Sequence, residues 1–249
     1  MEDTMKFKDL KERAKDALRE NFGAKLRLFL IPIFWGIIST NMTYQSNYNS
    51  NMDTVNNFDA NTITTGLLLS ILIGILIGGL IGLMISVIID VITVGARFNY
   101  IKIYRGEREN PRFKNVFTPF KDGSWTKIFV LHLVTALLIG LLTVTIIGIP
   151  FAIYLGLGWS QKDYILFDQL ESGTYTGIWG VLNASAQVMR GSRGDYFLFL
   201  LSFILWYILS SGITLGLAKF WTTPYIEMST IAYYQNLIDT KRSMNQTAY

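Results

Sequence analysis

The sequence predicts an all-α polytopic membrane bundle of about six transmembrane helices, arranged as three hairpins, each preceded by an amphipathic interfacial helix. Three observations carry that expectation. Hydrophobic residues make up 51% of the 249-residue chain and charged residues only 16%, against about 25% charge in a soluble domain. The apolar residues are also clumped, with no charge over 66–89, 128–161 or 196–218. Such runs are long enough to cross a ~30 Å hydrocarbon core at 1.5 Å per helical residue. Finally, Lys and Arg alternate along the chain. They number eight in 1–27, none in 41–65, eight in 97–127, none in 143–160 and three in 161–194, with Lys219 and two in the tail. Six spans with both termini cytoplasmic satisfy the positive-inside rule.

Taken in order, the first 23 residues read as a cytoplasmic amphipathic helix. Phe7, Leu10, Ala14, Leu18 and Phe22 form one stripe of a helix over Met5 to Phe22. The first span covers about 24–44. Its acid-containing leader and the lack of a small-residue cleavage site argue against a secretory signal. Residues 41–65, rich in Asn, Ser and Thr, read as a polar extracytoplasmic loop. The second span begins near Gly66 and continues as helix past Arg97 into the basic cytoplasmic segment 97–127. There Asn110-Pro111 reads as an N-cap and first helical residue, followed by Phe113, Val116, Phe117 and Phe120 at helical spacing.

The 128–161 run is too long for one span, and Gly148-Ile149-Pro150 divides it into spans of about 125–147 and 150–168. Ile178, Val181, Leu182, Val188 and Met189 line a third amphipathic stretch before span five, about 195–217. Span six, about 219–238, contains Glu227, and 239–249 is a cytoplasmic tail. The whole chain is one integral membrane domain. The three amphipathic stretches either lie in the cytoplasmic interface with their apolar faces in lipid or pack against the cytoplasmic ends of the bundle.

Several function classes fall away. The chain has no Cys and one His, His132, which leaves no thiolate zinc site, thiol nucleophile or iron–sulfur cluster. No phosphate loop, dinucleotide fingerprint, Gly-x-Ser-x-Gly turn or HExxH helix is present. We therefore expect no enzyme, cofactor or metal. Basic residues gather at span boundaries, so no nucleic-acid partner is expected; the partners are the lipid bilayer and a second copy or another membrane protein.

Two residue sets stand out. Gly74, Gly78 and Gly82 recur every four residues, as do Gly212 and Gly216, a spacing that lets another helix backbone approach closely, within the monomer or between copies. Asp90, His132 and Glu227 are ionisable residues within or beside spans, where each is costly unless paired or hydrated. They read as scattered polar sites. Asp90 would pair with Arg97 or Lys162, and Lys162-Asp163 reads as a boundary pair.

Several phrases, in their order, resemble a family of Gram-positive bacterial membrane proteins known as domain of unknown function 975. They are Ala14…Leu18…Asn21-Phe22-Gly23, Gly95-Ala96-Arg97-Phe98, Tyr104-Arg105-Gly106-Glu107 and Phe113…Val116-Phe117…Phe120-Lys121. Ile149-Pro150, Tyr164-Ile165-Leu166, Met189-Arg190-Gly191 and Pro224-Tyr225 through Tyr233-Tyr234 follow. The resemblance implies a multi-span plasma-membrane protein and brings no catalytic residues; Glu227 departs from the uncharged polar residue expected there. The function expected is non-enzymatic: a structural, accessory or protective protein that assists export or resists membrane-active peptides. The alternative is a small-solute or ion transporter using Asp90, His132 and Glu227.

Overall fold

The computed structural model describes residues 7–57 and 65–247. The expected helix start at Met5, the middle of the polar segment at 58–64 and the last two residues of the tail lie outside the described residues. All described elements are helical. In order they are α1 (Phe7–Arg19), α2 (Phe22–Arg27), α3 (Leu30–Asn57), α4 (Thr65–Tyr104), a 3-10 turn (Phe113–Phe117) and α5 (Thr118–Lys121). These are followed by α6 (Trp125–Thr143), α7 (Gly148–Gly158), α8 (Lys162–Glu171), α9 (Ile178–Val188) and α10 (Arg193–Leu201). The chain ends with α11 (Ile204–Tyr207), a π-helical segment (Ile208–Ile213) and α12 (Lys219–Thr247).

Among the described residues, two helical stretches are long and apolar enough to cross a membrane, Leu72–Tyr104 with mean hydropathy 2.8 and Trp125–Thr143 with mean hydropathy 2.0. A third would be α10 taken with Ile204–Ile213, the two halves meeting at a 46° bend. The expected fourth span is broken between α7 and α8, where the turn at Trp159–Gln161 interrupts it. The polar segment also differs from expectation. Residues 41–57 continue α3 as helix, and at its start Asn41 Nδ2 donates to Ile37 O at 2.8 Å and Thr43 Oγ1 to Ser39 O at 2.9 Å.

The amphipathic stretches pack on protein. Leu10, Ala14 and Leu18 of α1 are all buried. Leu10 joins Phe199, Phe203, Ala232 and Tyr233 in a cluster shared with α10 and α12, and the Phe7 ring meets Phe199 edge-on at 5.5 Å. The α1 stripe is thus occupied by the bundle, so an interfacial helix with this face in lipid is corrected. In α9, Val181 and Leu182 are buried and Ser185 Oγ donates to Gly158 O at 2.9 Å. The middle stretch is a 3-10 turn rather than an α-helix begun at Asn110-Pro111. The Asn115 side chain captures the Arg112 N–H at 2.9 Å, so the turn starts at Phe113. It docks on α4 at Gly95, where a Cβ would lie 2.1 Å from Val116 O. Only glycine permits that approach.

The larger core gathers Phe29 from the turn before α3 with Tyr100, Ile128, Leu131, Leu166 and Tyr234 from α4, α6, α8 and α12. Tyr100 is fully buried, and its hydroxyl donates to Lys25 O at 3.1 Å, which satisfies a phenol that would otherwise be costly in the interior. The upper part of α4 has a different character. Leu69, Leu72, Leu76, Leu80 and Met84 are exposed, and burial begins at Val87. A row of that length needs lipid or another protein against it.

Candidate functional site: a buried ionic chain

The buried half of α4 carries Arg97 into the core opposite α12 and α8. Its Nε and Nη2 each donate to one oxygen of Glu227 at 2.8 Å. Nη1 donates to Asp163 Oδ2 at 2.6 Å. This fork-to-carboxylate geometry uses two edges of the planar guanidinium, which Lys cannot reproduce. The other Asp163 oxygen lies 2.9 Å from His132 Nε2 on α6. His132 Nδ1 in turn lies 3.3 Å from Asp90 Oδ2. Five residues on four helices form one chain: Glu227, Arg97, Asp163, His132 and Asp90.

Burial is steepest at the centre. The Asp163 side chain is 4% exposed and that of His132 9%, while Asp90 at the end is 46% exposed. Glu227 closes the other end against a cavity of about 170 Å³ lined by Ser210, Ser211, Lys219, Thr222 and Thr223. Part of that wall is the π-helical segment Ile208–Ile213. Such single-turn departures from α geometry recur at functional positions. Lys219 is held away from Glu227, its Nζ donating to Gly36 O at 2.7 Å and Thr40 Oγ1 at 2.9 Å. Two residues before Asp163, the Oε1 of fully buried Gln161 has no donor.

The hydrogen-bonding capacity of the centre is specific. A neutral imidazole has one donor nitrogen and one acceptor. Here both nitrogens face ionisable carboxyl groups, so with both carboxylates ionised only the doubly protonated ring donates to each. The chain also holds three carboxyl groups against one guanidinium. Among the described residues no group of three His, Cys, Asp or Glu is arranged to hold a metal ion.

Two further pairs continue the match between α4 and α8. Arg105 Nη2 lies 2.8 Å from Asp168 Oδ1, and Lys102 Nζ lies 2.6 Å from Glu171 Oε1. Tyr234 donates to Asp168 Oδ2 at 2.5 Å. These pairs are more exposed than Arg97 with Asp163.

The structure therefore joins the three ionisable residues singled out in the sequence, which are not scattered. Asp90 pairs with His132, not with Arg97 or Lys162. Asp163 is the hub of the chain and not a boundary partner of Lys162. Sequence reasoning missed Asp163 and the central part of Arg97. One signal was there: α4 carries Arg97, Lys102 and Arg105 while α8 carries Asp163, Asp168 and Glu171, opposite charges on two helices, although the outer pairs cross, Lys102 with Glu171 and Arg105 with Asp168.

The glycine sets fare differently. A Cβ at Gly74, Gly78 or Gly82 would meet no described atom within 4 Å, so these positions are not helix contacts within the described chain. Gly212 meets only Ile208 of its own segment, at 3.9 Å. Gly216 is a true close contact. Its φ is +98°, and a Cβ would lie 3.0 Å from Ile37 Cγ1 and 3.2 Å from its Cα. It turns the chain into α12 against α3.

A helical bundle with membrane-length apolar helices and a buried ionic chain defines the class of protein. Within it, residues 142–241 match the family model described as protein of unknown function (DUF975), the family the ordered sequence phrases resemble. That segment contains Asp163 and Glu227, while Asp90, Arg97 and His132 lie before it. No curated protein and no solved structure matches the chain.

Proposed function

We propose that this chain is a non-enzymatic integral membrane protein that binds and passes a proton or small cation through the Asp90–His132–Asp163–Arg97–Glu227 chain. The observation that supports this reading best is His132, with one ring nitrogen facing each of two carboxyl groups. A proton taken up on the ring converts a half-satisfied contact into two charge-assisted hydrogen bonds. Asp90 gives access from the exposed end, and Glu227 meets the hydroxyl-lined cavity at the other. Arg97 fixes Asp163 and Glu227 in place and keeps its own charge throughout. The upper, exposed half of α4 and the apolar length of α6 support a membrane setting, with six spans and both termini cytoplasmic as the topology that the Lys/Arg alternation favours.

The test is flux. The purified full chain in proteoliposomes with a trapped pH dye should acidify the lumen under an imposed potential. His132→Gln should abolish the flux while leaving helical content and melting close to wild type. Equal flux in wild type and in the Asp90→Asn, His132→Gln, Glu227→Gln triple variant contradicts the proposal. The cysteine-free chain also suits topology labelling. Cysteine at exposed Glu109 should react from the inside only and at exposed Tyr48 from the outside only.

A second reading, a structural, accessory or protective membrane protein, is favoured by the Arg97 clamp itself. It ties α4, α8 and α12 together and accounts for a buried arginine without any transport. Normal resistance to membrane-active peptides in a flux-dead His132→Gln strain, with loss in an Arg97→Gln strain, would select this reading.

A further inference from the structure

Away from the ionic chain, a cavity of about 450 Å³ opens where α7, α9 and α10 converge. Its polar lining is Asn183, Gln187, Arg190 and Arg193, with Tyr154 and Gly194 completing the wall. We propose that this cavity binds a phosphate ester, the headgroup of an anionic phospholipid.

The charge is one-sided. Neither arginine has an ion pair among the described residues, and no acidic residue lines the cavity. Lys241 adds a cation close by, its Nζ donating to Arg190 O at 2.9 Å. Arg193 is also preset. Its guanidinium carbon stacks 3.9 Å from the Tyr154 ring centroid, which leaves the N–H edges for a ligand. Its Nε is buried without a hydrogen-bond partner among the described residues, an unusual state for a charged donor. Gly158 makes the room: a Cβ there would lie 2.9 Å from Arg193 Nη2. At the far wall a Cβ on Gly194 would meet nothing within 4 Å. The first turn of the nine-residue α10 begins at the arginine and adds orphan N–H groups of the kind that favour anions.

The surroundings favour a lipid over free phosphate. α7 ends, and α10 begins, beside the cavity. Both carry exposed apolar side chains, Phe151 and Ile153 on one and Phe197, Leu198 and Leu201 on the other. A ligand with an anionic head and acyl chains fits polar cavity and apolar faces together. None of these residues belongs to the ionic chain, so this inference stands apart from the proton reading.

Thermal unfolding of the full chain in neutral detergent tests it, with phosphatidylglycerol, phosphatidylcholine or inorganic phosphate added in turn. Phosphatidylglycerol should raise the melting temperature, and phosphatidylcholine should not. The Arg190→Gln, Arg193→Gln variant should bind phosphatidylglycerol roughly thirtyfold more weakly, from the usual strength of a basic side chain at an anionic surface. Arg13→Gln, which removes an equal charge type on α1, should bind as wild type. Should the double variant fold poorly, Arg190→Gln alone serves, since Arg190 is exposed, with a roughly fivefold loss read by native mass spectrometry. Equal phosphatidylglycerol binding by wild type and variants overturns the site. Equal protection by inorganic phosphate overturns the lipid assignment.

Discussion

Arg97 and Asp163 meet at 2.6 Å in the core, the guanidinium of one helix against a carboxylate that is 4% exposed on another. Breaking a buried pair leaves the surviving charge uncompensated, at a cost of about 3–5 kcal/mol. Asp163→Ala should therefore lower stability by about that amount in detergent denaturation. Glu171→Gln removes the partner of Lys102, with a side chain half exposed, and should cost less than about 1 kcal/mol. Comparable losses in both variants would show that the α4–α8 charge match acts without regard to depth.

The 3-10 turn depends on one missing methyl group. Gly95→Ala would place Cβ 2.1 Å from Val116 O, so the turn must move off α4. Overpacking of this kind costs about 1–3 kcal/mol. Loss of melting temperature in Gly95→Ala would show the cost is the contact, because alanine is the better helix former by about 1 kcal/mol; an unchanged or raised melting temperature would contradict it.

The α1 helix should behave as part of the bundle. Leu10 is 1% exposed and Ala14 fully buried, so Phe7→Ser with Leu10→Ser should destabilise the fold by several kcal/mol, on the order of other buried large-to-small changes. Charge reversal at Lys15 should do much less. A fluorophore at Ala14 should resist both water and lipid quenchers; quenching by lipid would return α1 to the interface.

Gly78→Leu separates the two meanings of the glycine face on α4. With open space beside Gly78 in the described chain, monomer stability should stay within about 0.5 kcal/mol of wild type, as for an exposed site. A change in oligomeric state, read by light scattering in detergent, would assign the face to contacts between copies. A large loss of monomer stability would contradict the open environment.

Much of the fold was legible in the sequence, and the reasons are physical. The long uncharged runs had to be helices, and the break at Gly148-Ile149-Pro150 falls where α7 begins. The α1 stripe at Phe7, Leu10, Ala14 and Leu18 was legible as a buried face, but periodicity does not say whether lipid or protein covers it. Asn115 overrode the Asn110-Pro111 signal through a local hydrogen bond, and a polar composition at 41–57 hid the continuation of α3. For the site, Asp90, His132 and Glu227 stood out because charge is conspicuous in apolar runs. Asp163 did not, because it follows Lys162 at the edge of such a run. Only packing of α6, α8 and α12 around α4 reveals that it links His132, and through it Asp90, to Arg97, which holds Glu227 directly.

The most direct test of the central claim uses the fact that His132 is the only histidine in the chain. In protein labelled with nitrogen-15 histidine, the imidazole nitrogens report protonation at this one residue without assignment. We expect both nitrogens to be protonated over part of the pH range in which the protein stays folded, with one proton released as the pH rises. We also expect Asp90→Asn to shift that transition. A ring that keeps a single proton across the whole folded range would contradict proton binding between Asp90 and Asp163.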